Sequence, residues 1–203
     1  MGRPSSSSSE ASWAGIDVFT IGHSTRSLDE LVAMLRSFGI ALVVDVRTIP
    51  RSGHNPQFDG RTLRESLRRH GIDYVHLPRL GGLRRSREGS PNTGWRNASF
   101  RGFADYMQTQ ELEEGLAELR ALASERRVAL MCAEAVPWRC HRSLLADVLV
   151  ARGARVEHVT GVSRSSSHRM TSFARVKDGR VTYPAPERSR TTLARRRSHP
   201  RPA

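Results

Sequence analysis

Two short motifs hold the most reactive side chains of this chain: Cys132-Ala-Glu134, and Cys140-His141-Arg142 a few residues on. A thiol beside cations or at a helix N-terminus loses its proton more readily. Cys140, flanked by Arg139, His141 and Arg142, is therefore a candidate nucleophile. The same arginines, with the backbone amides that open a helix, could instead hold a phosphate or another anion. Glu134 could act as a general acid or base, or could orient His141. Plainer readings compete. Cys132 closes an apolar run and could be a small core residue. The two cysteines could form a regulatory disulfide, and His141 and Arg142 could tie down a loop. The candidate metal ligands are His23, Glu134, Cys140 and His141, but the Cys-x7-Cys spacing matches no familiar zinc pattern and the sequence requires no cofactor.

The elements that must position these groups follow from the apolar pattern. Val18–Ile21 is a first strand, followed by His23 and Ser24. Ser27-Leu-Asp-Glu30 is a capping box that opens a helix ended by Gly39. Residues 40–46 form a nearly continuous apolar strand of the kind buried on both faces of a parallel sheet, carrying Asp45 with Arg47 beyond it. Thr62-Leu-Arg-Glu65 reads as a second capping box, for a helix ending near Gly71. Asp73–Leu77 is a third strand, followed by Arg79, Gly81 and Gly82, and residues 78–99 form a long loop. Helices are expected over 100–107, 111–123 and 141–151, and strands over 128–132 and 156–159. Residues 173–183 form a small hairpin turned at Lys177-Asp178-Gly179. The expected fold is α/β: a mainly parallel, Rossmann-like sheet of about five strands flanked by helices, with a C-terminal hairpin.

In this reading His23, Ser24, Asp45, Arg47, Gly81, Gly82, Cys132 and Glu134 all follow strands and gather at one sheet edge. Open parallel sheets bind ligands there. Side-chain atoms of His23, Asp45 or Arg47, Glu134 and His141 should then lie within about 10 Å of one another, the span of a small-ligand cleft.

Composition narrows the classes. The chain has 203 residues and a net charge of +13, and Lys177 is its sole lysine among 33 basic residues. Residues 1–15 read as a disordered Ser-rich leader and 187–203 as a disordered basic tail with six arginines against Glu187; a single domain over 16–186 carries the rest. No apolar run approaches a membrane span, and two cysteines do not make a secreted scaffold, so the expected location is the cytoplasm. Expected partners are a small anionic ligand or nucleic acid, and no membrane.

Thr20-Ile-Gly-His-Ser24, Val44-Asp-Val-Arg47 with Pro50, Tyr74–Leu77 followed by Leu80-Gly-Gly82, and the two cysteine motifs resemble the domain of unknown function 488 family from about residue 18 to 160. The resemblance implies that His23, Ser24, Asp45, Arg47, Gly81, Gly82, Cys132, Glu134, Cys140, His141 and Arg142 are signature positions; it implies no activity. Arg84–Arg87, the leader and the tail are additions to that pattern. A weaker likeness of layout is to rhodanese-like domains, in which a cysteine after a strand carries sulfur or, in related phosphatases, attacks phosphate. Here the loop is longer, and Glu134 near the nucleophile position would oppose a thiolate.

Three functions compete. The first is an enzyme acting on a phosphate-bearing substrate, a nucleotide or nucleic acid, with Asp45 or Glu134 as acid or base, His23 and His141 moving or positioning protons, and Arg47 and Arg142 clamping the anion, assisted by Ser24, Gly81 and Gly82. The second is a non-catalytic nucleotide- or nucleic-acid-binding module. The third is a thiol-dependent enzyme using Cys140 or Cys132.

Overall fold

A computed structural model describes residues 12–186. Strands β1 (Asp17–Gly22), β2 (Leu42–Asp45), β3 (Asp73–His76), β4 (Val128–Cys132), β5 (Arg155–Gly161) and β6 (Arg164–Ser167) form one sheet in the order β3-β2-β4-β1-β5-β6. The first five are parallel and β6 runs antiparallel at the edge. The helices are α1 (Leu28–Ser37), α2 (Gly60–Arg69), α3 (Ala98–Tyr106), α4 (Gln110–Glu125) and α5 (Arg142–Ala151).

Strand alternation sorts the core into two layers. Phe19, Ile21, Val43, Ala129 and Met131 pack with Leu31, Leu35, Leu63 and Leu67 of α1 and α2. Val18, Val44, Leu130 and Cys132 face the other way, against Phe103, Leu116, Leu144 and Leu145 of α3, α4 and α5. The central strands are thus covered on both sides, as their unbroken apolar runs require.

Three features differ from the sequence reading. Asp59 rather than Thr62 caps α2, its side chain accepting from the Arg61 N–H at 3.3 Å. Strand β6 is wholly exposed and serine-rich, so only its ladder to β5 defines it. Trp13, inside the expected leader, is 2% exposed and bonds the Arg152 carbonyl, so the fold reaches back at least that far. The long loop after β3 is tied down: the Asp105 carboxylate accepts from Arg87 N–H, Ser90 and Asn92. In the same loop Arg84 stacks on the Tyr106 ring at 3.7 Å, which gives one member of the arginine-rich insert a packing role. The hairpin is present as β7 (Arg175–Lys177) and β8 (Arg180–Thr182), with positive φ at both Asp178 and Gly179, as a tight hairpin turn demands. Residues 1–11 and the basic tail lie outside the described residues.

Candidate functional site

The carboxyl ends of β2 and β4, the loop after β3 and the turn before α5 enclose a pocket of about 310 Å³. Arg47, Gly82, Cys132, Glu134, Arg139, Cys140 and His141 are among the residues that line it.

Asp45 and Arg47 form a closed unit below the pocket. Asp45 is fully buried; its carboxylate accepts from Arg47 Nε at 2.9 and 3.0 Å, from Arg47 Nη2 at 2.5 Å, from the Arg47 backbone N–H and from the Tyr74 hydroxyl at 2.7 Å. With both oxygens engaged, Asp45 holds Arg47 rather than facing a ligand. Burial and the neighbouring Asp45 push the Tyr74 hydroxyl well above its usual range, so it stays a donor. His23 completes the unit. Its Nδ1 donates to the Ser24 carbonyl at 3.0 Å, which leaves Nε2 to accept from Arg47 Nη1 at 3.3 Å. Burial lowers the His23 pKa, Arg47 adds to that, and the ring stacks on Phe58 at 4.2 Å. Ser24 follows with φ +49°, and its own N–H bonds the Ala133 carbonyl, fastening β1 to the loop after β4.

The cysteines meet at the wall of the same pocket. Cys132 Sγ and Cys140 Sγ are 2.7 Å apart, Arg142 Nε donates to Cys132 Sγ at 3.0 Å, and His141 Nδ1 lies 3.5 Å from Cys140 Sγ. Arg142 is 1% exposed; its other nitrogens donate to the Glu134 carbonyl and to Thr20 Oγ1. The two sulfurs are in hydrogen-bond contact, and a thiol on either can donate to the other. The Cys140 pKa falls through that bond to Cys132, against burial, with His141 and Arg142 adding to the fall. Burial and the same bond drive Cys132 up. His141 Nε2 is buried without a partner, and its ring packs edge-on against Phe103 at 5.0 Å.

The glycines serve close approach. A Cβ on Gly82 would stand 2.4 Å from the His141 ring, and one on Gly81 2.6 Å from Thr48 Oγ1. Glu134 is exposed at the pocket wall, and the hydrogen bonds of the described residues engage its carbonyl but not its carboxylate. The sequence-selected residues therefore converge on one edge, but in two shells: Cys132, Glu134, Cys140, His141, Arg47 and Gly82 at the pocket, His23, Asp45 and Arg142 supporting it from within the core. Among the described residues no group of three or more His, Cys, Asp or Glu side chains is arranged to hold a metal ion.

Sequence reasoning missed a second buried network joined to the first. Thr20, His158, His168, Asp147 and Tyr183 are linked in series behind Arg142. One signal was available: Asp147 is the single acid in the otherwise apolar stretch Leu144–Ala151, and a buried carboxylate there needs partners.

No helix among the described residues is long and apolar enough to cross a membrane. Searches of curated proteins and of solved structures each returned no match, a rhodanese-like domain included. The family model described as Domain of unknown function DUF488 matches residues 27–149, more than half of the chain and both cysteine motifs. On that match, the chain belongs to the domain of unknown function 488 family.

Proposed function

We propose that this protein is an enzyme whose carboxyl-edge pocket works through a cysteine thiolate, Cys140 with Cys132 as its hydrogen-bond partner, on a small substrate bearing a phosphate or similar anionic group. The observation that carries this reading is the environment of Arg142. A buried guanidinium requires a counter-charge. Among the described residues no carboxylate pairs with it. Besides two neutral acceptors, the Glu134 carbonyl and Thr20 Oγ1, it touches Cys132 Sγ, which in turn contacts Cys140 Sγ at the pocket wall. A thiolate shared by the two sulfurs supplies the missing negative charge. With Arg47 neutralised by Asp45, Arg51 and Arg139 against Glu134 still leave the pocket lining a positive balance suited to an anion.

On a phosphate ester, Cys140 Sγ would form a bond to phosphorus as the bond from phosphorus to the leaving oxygen breaks. Glu134, entering as the acid, would protonate that oxygen. Water would then attack the thiophosphate with Glu134 as base, the sulfur–phosphorus bond would break, and phosphate and thiolate would be released. A second reading has its own support. Glu134 lines the pocket with an unengaged carboxylate, so it could serve as acid or base while the thiols only pack.

The test is a turnover screen over p-nitrophenyl phosphate, nucleotides and short oligonucleotides, run on the full chain and on Cys140→Ser and Glu134→Gln. A folded, inactive Cys140→Ser protein beside a Glu134→Gln protein that keeps partial activity is the expected result. An active Cys140→Ser protein beside an inactive Glu134→Gln protein overturns it in favour of the carboxylate reading. Saturable binding of these compounds by the wild type with no turnover makes the protein a binding module.

A further inference from the structure

The buried network behind Arg142 has a direction. Arg142 Nη1 can only donate, and it lies 3.3 Å from Thr20 Oγ1. Thr20 Oγ1 is 2.7 Å from His158 Nδ1, His158 Nε2 is 2.9 Å from His168 Nδ1, and His168 Nε2 is 2.8 Å from Asp147 Oδ1. At the far end Asp147 also accepts from the Tyr183 hydroxyl at 2.7 Å and from the Thr171 N–H at 2.9 Å. Burial and the adjacent Asp147 push the Tyr183 pKa well up, so that hydroxyl keeps its proton and donates.

With a donor fixed at one end and an acceptor at the other, one arrangement satisfies every link while both histidines are neutral. Arg142 donates to Thr20, Thr20 to His158 Nδ1, His158 Nε2–H to His168 Nδ1, and His168 Nε2–H to Asp147. Thr20 and Asp147 are fully buried and His158 is 7% exposed. We propose that Thr20, His158, His168 and Asp147 are positioning residues, a one-way hydrogen-bond relay that locks the Arg142 guanidinium against Cys132 and thereby sets how readily the cysteine pair gives up a proton. This rests on the thiolate reading above and deepens it.

The required neutral His158 agrees with its surroundings. Burial, the largest cause, lowers its pKa, with Arg142 adding to the fall and Asp147 opposing it. The titratable and charged groups that face the relay are Arg142 and Asp147 from α5, and Tyr183 just beyond β8. Arg169 stands with His158 and His168 at a second cavity, of about 770 Å³. Because Arg142 is no proton donor near neutral pH, the relay ends there: it orients and polarises the guanidinium and moves no proton to sulfur.

Alkylation of the full chain by iodoacetamide as a function of pH tests this, since Cys132 and Cys140 are the only two cysteines. The wild type should alkylate with a midpoint well below the ordinary thiol value of about 8.5. Thr20→Val should raise that midpoint by about one pH unit, a roughly tenfold slower reaction at a fixed pH below it, and Thr20→Ser should restore it. A low wild-type midpoint that Thr20→Val leaves unmoved overturns the relay alone. An ordinary midpoint in the wild type overturns the thiolate reading and the relay with it. If Thr20→Val does not fold, nitrogen-15 shifts of the wild-type imidazoles decide: protonated Nε2 with bare Nδ1 on His158 is expected, and the opposite tautomer refutes the relay.

Discussion

Replacing Asp45 by asparagine separates a strut from a catalyst. Asp45 is wholly buried and Arg47 is 7% exposed, so their ion pair is shielded from water. The asparagine fits the same space, but its amide cannot neutralise Arg47, and its NH2 faces donors that the carboxylate oxygen accepted from: Arg47 Nη2 and the Tyr74 hydroxyl. Removing one member of a buried pair costs about 3–5 kcal/mol, because the other charge stays buried unpaired. For a domain of this size each kcal/mol lowers Tm by about 2–4 °C, so the midpoint should fall by about 6–20 °C. Circular dichroism melts of wild type, Asp45→Asn, Arg47→Met and the double variant measure it. The double variant should lose less than the sum of the singles, by about 2 kcal/mol or more, the mark of direct coupling. If Asp45→Asn melts within about 2 °C of wild type yet abolishes turnover, Asp45 is an acid or base, and the argument from its saturated hydrogen bonds fails.

Three further outcomes are expected. Mild oxidation with diamide should join Cys132 and Cys140, whose sulfurs already touch, and remove two hydrogens from the intact mass; no mass change under those conditions would show that the pair is not poised to close. Stability should fall with acidification. Burial lowers the pKa values of His23 and His158, the latter to about 4, so as pH drops below about 6.5 the unfolded chain takes up protons that the fold refuses. The resulting slope is at most about 1.4 kcal/mol per pH unit for each histidine, and His158→Gln should flatten it; a melt series with a constant midpoint from pH 7 to 5 would contradict this. Gly22→Ala should give little folded protein, since its Cβ would stand 1.8 Å from the Glu134 carbonyl oxygen, a backbone atom with little room to retreat. A near-native melt for that variant would mean that the loop after β4 yields more easily than its bonds to His23 and Ser24 suggest.

Apolar runs made the parallel core legible. Ile40–Val46 and Val128–Cys132 could hardly be anything but buried strands, and Gly39 and Gly153 mark helix ends with positive φ. Convergence at one edge was also readable, because period-2 strands and their order dictate which residues follow each carboxyl end. Roles within that edge were not. Asp45 and Glu134 look equivalent as carboxylates beyond strands, yet Tyr74 and Arg47 consume one while the other faces solvent; that difference lies in contacts across β2 and β3, far apart in sequence. The relay was hidden for a similar reason. Thr20 and His158 are register partners on β1 and β5, a pairing no local pattern reveals, and His168 follows a strand with no apolar signature.

The position of β1 has a consequence for what counts as the folding unit. It lies between β4 and β5 in the sheet, yet it precedes residue 27, where the family match begins, and β5 follows residue 149, where it ends. A fragment cut at the matched boundaries would keep β3-β2-β4 and the cysteine motifs but leave the inner flank of β4 bare. Val128, Leu130 and Cys132 would present open amides and carbonyls on a long apolar rim, a template for intermolecular pairing. Such a fragment should precipitate as aggregated sheet, and neither Thr20 nor His158 would remain to hold Arg142. The segment that the family match covers is thus shorter than the sheet it belongs to, and one of the strands it leaves out, β1, lies inside that sheet.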